Sequence, residues 1–211
     1  MGSAPPPTCP EGAGSVADVM LFHSVCGLRP AVRDAAGRLR TAGHRVWTPD
    51  LYDGRTAGSV TEGMELAGTI GREVLLRRAV AAAAPHADAG LVYAGLSLGA
   101  ALAQTVALAD GAARGLLMLH GTADLPEEAR VRDGLPVQLH VAEPDPFETE
   151  DWLGAWYLRM RRAGAEAEIH RYRGAGHLYT DPELPDWDAE AAARTWAVAL
   201  DFLADPDAAG G

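Results

Sequence analysis

LVYAGLSLGA, residues 91–100, is an apolar run of strand length that passes at once into a small-residue helical pattern. Residues 91–96 predict a buried strand and residues 99–109 a helix. Between them Gly95, Ser97 and Gly99 spell G-x-S-x-G, the pattern of a nucleophile elbow when it joins a strand to a helix. Near-absent side chains two positions either side of the serine let strand and helix approach closely. A serine at a helix N-terminus sits beside the positive end of the helix dipole, where negative charge on its oxygen is favoured. The plainer reading of the same five residues is a tight turn with a capping serine. A dinucleotide loop is excluded, because the G-x-G-x-x-G spacing is absent.

Outward from the elbow, strands and helices alternate, the signature of a mostly parallel sheet covered on both faces. On the N-terminal side, residues 16–22 read as a first strand and 30–42 as a helix with Val32, Ala35, Ala36 and Leu39 on one face, ended by Gly43. Residues 44–47 read as a second strand and 62–84 as one long helix stopped before Pro85. On the C-terminal side, strands are predicted at 115–120, 137–142 and 167–172, and helices at 153–163 and 188–203. The expected architecture is α/β, a three-layer sandwich around a mostly parallel sheet. Residues 16–205 form its one domain, after a disordered leader (1–15) and before a flexible tail (206–211).

Composition sets the outer limits. At 211 residues, with 48% hydrophobic and 22% charged residues, the chain can bury a sizeable core. A net charge of -11 disfavours nucleic-acid phosphate, and no basic stripe with interleaved aromatics is present. Two cysteines, Cys9 and Cys26, are too few for a disulfide framework, and no apolar run is long enough to span a membrane. A cytoplasmic protein, monomer or homodimer, that binds a small molecule fits these limits.

A serine hydroxyl needs a general base near neutral pH, and histidine is the side chain suited to it. His177 lies in RGAGHLYTDP, after the strand at 167–172 and before the last helix, where Gly174 and Gly176 permit a tight loop. That places it at the carboxyl edge of the sheet, where sites of open α/β proteins gather. His44, His120, His140 and His170 lie within or at the ends of strands and His86 in a turn between elements, and all five read as structural. For the acid that would orient His177, Asp145 stands between Pro144 and Pro146 in EPDPFETED, whose other acids read as a solvated surface. Asp124, in HGTADLP, competes for the role. The order Ser97, Asp145, His177 is that of α/β hydrolases.

Together these residues resemble the dienelactone hydrolase family, the compact branch of the α/β-hydrolase fold. The likeness runs through residues 21–54, LFHSVCGLRPAVRDAAGRLRTAGHRVWTPDLYDG, and through GAGHLY at 174–179. It implies hydrolysis of an ester or lactone through an acyl-enzyme, with no metal and no organic cofactor. It also implies an oxyanion hole formed by the backbone amides of Leu98 and Val25. Three departures from the family stand out. Ser97 replaces the common cysteine, Ser24 stands where many members carry glutamate, and HLYTDPELPD offers acids where an arginine follows the histidine. Dienelactone itself is therefore not the expected substrate.

His23, Ser24, Tyr52 and Tyr179 are candidates for substrate contact, although a polar pair such as His23 and Ser24 could equally cap backbone groups. Trp47, Trp152 and Trp156 are further candidate pocket walls, with core packing the alternative for each aromatic. Cys26 reads as packing. Two other functions stay open: a thioesterase or lactonising enzyme on the same three residues, and a binding module that kept the fold.

Overall fold

The computed structural model describes residues 16–204; the expected leader, the tail and Cys9 lie outside the described residues. Six strands pair wholly in parallel: β1 Asp18–Phe22, β2 Arg45–Trp47, β3 Leu91–Leu96, β4 Gly115–Leu119, β5 Leu135–Glu143 and β6 Ala165–Arg173, in the spatial order β2-β1-β3-β4-β5-β6. The chain winds outward to β2 from β1, then returns to lay β3 on the other side of β1. Connections after β1 and β3 therefore leave on opposite faces, opening a crevice at their carboxyl ends. Ser97 and the loop after β1 meet there.

Alternation along the strands builds the two faces. Met20, Phe22 and Tyr93 point to one side, packing with helices α3 (Arg72–Ala83), α4 (Leu98–Ala109) and α5 (Glu150–Ala163). Val19, Leu21, Val92 and Ala94 point to the other, under α1 (Pro30–Thr41) and α6 (Ala189–Ala204). All five residues of β1 and all six of β3 are buried. Strands covered on both faces are mostly apolar, which is why they read as near-continuous runs; the buried Asp18 that opens β1 is ion-paired with Arg45.

The long helix expected at 62–84 is two helices, α2 (Val60–Ile70) and α3, followed by a 3-10 segment at Ala84–Ala89. Gly71 separates them at φ 89°, a conformation open to glycine and costly for other residues. Its N–H donates to the Ala67 carbonyl, closing α2, while the Ser59 hydroxyl accepts from Glu62 N–H at the start. The break tilts α2 toward the carboxyl edge, where Val60, Met64 and Ala67 line the cleft described below. Among the described residues no helix is long and apolar enough to cross a membrane.

β5 and β6 run two to three residues further than their periodicity suggests, paired in register from Leu135–Ala165 to Glu143–Arg173. Within them His140 is fully buried, its Nδ1 and Nε2 engaged by the Tyr172 hydroxyl at 2.9 Å and Gln138 Oε1 at 2.8 Å. Burial, reinforced by the stacked His170, pushes its pKa down to about 3. An unfolded imidazole takes a proton near 6.5, whereas the fold opposes it. Stability from His140, and from the similarly lowered His23, His44 and His120, is thus complete above that value and lost as pH falls below it. The unfolding free energy from urea titration should fall between about pH 7.5 and about pH 5, by up to about 1.4 kcal/mol per pH unit for each fully buried imidazole. The fall should be smaller in His140→Gln.

Candidate active site

Ser97 sits between β3 and α4 at φ 52° and ψ -112°, a backbone conformation rarely adopted outside glycine. Its N–H donates to the Leu119 carbonyl at 2.7 Å, and its carbonyl accepts from Ala100 N–H, so the turn is held from both sides. The flanking glycines are sterically required. A Cβ on Gly95 would come within 2.1 Å of the Gly99 carbonyl carbon, and one on Gly99 within 2.3 Å of the Phe22 carbonyl oxygen. Gly121, after β4, makes a third close approach, since a Cβ there would lie 2.9 Å from Ser97 Cα.

The loop after β6 brings His177 over this turn. Its Nε2 lies 2.9 Å from Ser97 Oγ, and its Nδ1 lies 2.8 Å from Asp145 Oδ2. A carboxylate only accepts, so Nδ1 carries the proton and Nε2 faces the serine hydroxyl as the acceptor. The Asp145 side chain is 0% exposed. Its other oxygen accepts from Phe147 N–H at 2.8 Å and Glu148 N–H at 3.3 Å, locking its orientation. The Phe147 ring covers the imidazole, with centroids 4.5 Å apart. Asp124 lies elsewhere: it is exposed and ion-paired with Arg159 at 2.5 Å.

A cleft of about 330 Å³ opens above Ser97, with mainly apolar walls that include Val25, Met64, Leu98, Ala101 and Phe147. The Leu98 N–H is the first of α4, where no preceding turn supplies an acceptor. Val25 belongs to the turn after β1, in which Gly27 N–H donates to the Ser24 carbonyl at 3.0 Å. α2 presses on this turn, because Gly63 lies so close that a Cβ would stand 2.6 Å from the Val25 carbonyl oxygen.

Four candidates for substrate contact do not line the cleft. His23 is buried against the backbone: its Nδ1–H donates to the Ser24 carbonyl at 2.8 Å, and its Nε2 accepts from Leu51 N–H at 3.1 Å. Burial lowers its pKa, keeping it neutral as those two bonds require. Ser24 Oγ accepts from Cys26 N–H, so the pair serves backbone satisfaction. Tyr52 is fully buried beside His23, its hydroxyl pushed up to about 12 by burial. Tyr179 is also buried, hydrogen-bonded to Thr195 Oγ1 at 2.7 Å and edge-on to His120. Among the other aromatics, Trp156 is core, donating to Gln104 Oε1, while Trp47 stacks on His86. The Cys26 thiol is buried and its pKa raised by that burial.

The structure also brings in residues that sequence reasoning passed over. Glu148, expected on a solvated surface, is 7% exposed and walls the cleft. Its two oxygens accept from Thr122 N–H at 2.9 Å and Thr122 Oγ1–H at 2.7 Å, while burial raises its pKa. Trp152 Nε1–H donates to the same Thr122 oxygen at 2.6 Å. Nothing in EPDPFETED separates Glu148 from its acidic neighbours, because the distinction comes from a partner 26 residues away. His120 lines the cleft too, at φ 65°, with Nε2 on the Thr180 hydroxyl and its pKa well lowered by full burial. Among the described residues no group of three or more His, Cys, Asp or Glu is placed to hold a metal ion.

A parallel sheet wound from β1, with a strained serine elbow beneath a histidine and a buried carboxylate, defines an α/β-hydrolase-type protein. The profile of the dienelactone hydrolase family matches residues 8–206, and the chain belongs to that family. It is thus a hydrolase acting on ester bonds. Comparison with curated proteins gives no match. Among solved structures it is similar to a dienelactone hydrolase-like promiscuous phosphotriesterase from metagenomic libraries, at 21% identity and a TM-score of 0.71, covering 90% of this chain and 86% of that one. It is also similar to a Pyrobaculum calidifontis esterase (16% identity, TM-score 0.63, 92% and 78% covered). Thermogutta terrifontis esterase 2, phosphoramylated by tabun, is a third (14%, 0.55, 92% and 84%). At these identities the likeness is one of fold.

Removing the His23 ring nitrogens leaves the Leu51 N–H unpaired in the interior, while the Ser24 carbonyl keeps its bond from Gly27 N–H. His23→Leu should therefore lower unfolding stability by about 1–3 kcal/mol in urea titration, the cost of one orphaned buried donor.

Proposed function

We propose that the protein is a serine hydrolase that cleaves an ester or lactone of a small organic molecule through an acyl-enzyme. The observation that carries this reading is the continuous chain from Ser97 Oγ to His177 Nε2 and from His177 Nδ1 to Asp145 Oδ2. In the first half-reaction Ser97 Oγ bonds to the substrate carbonyl carbon as His177 Nε2 takes the hydroxyl proton. Charge on the carbonyl oxygen is held by the Leu98 and Val25 amides. The tetrahedral adduct then expels the alkoxide, which leaves as the alcohol with the proton from His177. Water attacks the acyl-serine with His177 again as base, releasing the acid and restoring Ser97. Asp145 holds the imidazole in the required tautomer and offsets its positive charge. Every proton moves between groups of this chain, the substrate and water.

Two of the departures from the family, Ser97 for cysteine and Ser24 for glutamate, point the same way. A serine nucleophile takes its activation from a neighbouring base, so no glutamate is needed where Ser24 stands. That Thermogutta terrifontis esterase 2 is phosphoramylated by tabun supports a fluorophosphonate as a probe of this chain's serine.

A fluorophosphonate should label the protein once, at Ser97, and Ser97→Ala should abolish both labelling and turnover of a short acyl ester. Full turnover in Ser97→Ala would end this reading. Asp145→Asn should lower kcat by on the order of 10²- to 10⁴-fold with substrate binding kept, because it spoils the tautomer rather than the pocket. Gly63→Ala forces α2 against the Val25 carbonyl. It should lower kcat about 10-fold or more with little change in fold, since one oxyanion donor typically contributes 10²–10³. Circular dichroism beside steady-state kinetics separates the two effects.

A further inference from the structure

The cleft above Ser97 adjoins a second groove, of about 400 Å³, at Ala101. Three walls of the cleft, Leu98, Ala101 and Thr122, are also walls of the second groove. That groove runs between α3 and α4, under the loop after β4, and its apolar walls include Leu75, Leu76, Leu102 and Trp152. Ala101, the smallest of the shared walls, stands as the saddle between the two, where a longer side chain would obstruct a chain crossing from one to the other. The charged walls of the second groove, Arg72 and Asp124, are both exposed, and Asp124 is already ion-paired with Arg159. The first groove holds one carboxylate, Glu148, and no arginine lines it.

We propose that the two grooves form one acyl-binding site and that the protein acts on esters of uncharged aliphatic acids, the chain passing over Ala101 into the second groove. This rests on the serine-hydrolase reading above and names the substrate class of that site. The direction of the chain follows from the proton path. The leaving alcohol must meet His177 Nε2, and His177, Phe147 and Glu148 wall only the first groove. The second groove lies off that side, so it receives what remains bonded to Ser97. The charged walls of the second groove stand at its exposed rim and the rest are mainly apolar, so a charged acyl chain would lose its hydration along them without a buried partner, whereas methylenes lose only water. Each methylene removed from water contributes about fourfold in binding. Lactones fit the same site when their ring bears an alkyl chain on the acyl side.

The test is a series of p-nitrophenyl esters from acetate through butanoate to octanoate, set beside acetates of alcohols of rising length. The value of kcat/KM should rise about tenfold or more from butanoate to octanoate. Across the alcohol series it should stay within about threefold. Thr105→Glu puts a charge in the second groove alone, on a half-buried helix position that accepts it, and should bring the octanoate-to-butanoate ratio toward one. Ala101→Phe, closing the saddle, should do the same. A flat acyl series in the parent protein, a ratio preserved in both variants, or a preference that follows the alcohol chain would each overturn the proposal while leaving the hydrolase reading intact. Absence of turnover on every ester, with Ser97 unlabelled by a fluorophosphonate, would overturn the hydrolase reading, a separate failure.

Discussion

The close approach of α4 to the ends of β1 and β3 is the constraint on which the rest of the structure depends. Gly99 lies against the Phe22 carbonyl and Gly95 against Gly99, at separations no Cβ could occupy. That contact leaves Ser97 no room for an ordinary helical or extended backbone, and it takes φ 52° instead. The strain, of order 1–3 kcal/mol, is held by sheet and helix hydrogen bonds on either side. The result is a hydroxyl raised above the sheet edge, with the first amide of α4 beside it. Gly121 extends the same steric logic to the neighbouring strand.

Around that point the other loops are tied to one another more than to solvent. Asp145 holds the N–H groups of Phe147 and Glu148, Glu148 holds Thr122, and Thr122 receives Trp152. The loop after β5 is thereby fastened to the loop after β4. Buried carboxylates stand without a cationic partner of their own only when donors surround them, and each oxygen of Asp145 and Glu148 has at least one. Gly63 performs the corresponding service on the far side, seating α2 on the Val25 turn. Both sides of the cleft are thus fixed by contacts that its own wall residues make behind them. A hydroxyl, an imidazole and a carboxylate held in line by their surroundings need little reorganisation to act together.

What the ring nitrogens face, and not burial, separates His177 from the other buried histidines. His23, His120 and His140 are enclosed and their pKa values lowered by that enclosure. In each, at least one ring nitrogen already has a partner in the protein. His177 differs in where its nitrogens point: one meets a carboxylate, the other a serine hydroxyl at the mouth of a cleft. The walls around that hydroxyl are mainly apolar, so a substrate seated against them displaces water, which strengthens any charge interaction formed beneath it.

The sequence by itself determined the alternation of strands and helices, because burial on both faces demands apolar runs and helices demand a 3.6-residue period, and both are local patterns. G-x-S-x-G was legible for the same reason, since its glycines answer a clash within five residues. The order of Ser97, Asp145 and His177 along the chain was legible too, and so was the family those stretches resemble. Tertiary structure alone decided the break at Gly71, where a glycine that a helix could have tolerated instead turns α2 toward the site. It alone separated Asp145 from Asp124 by their neighbours, buried Glu148 among surface-looking acids, and gave His23 and Tyr52 to the interior. Those outcomes depend on partners tens of residues distant in the chain, and the period of a side chain along its own element carries no information about what another element will place opposite it.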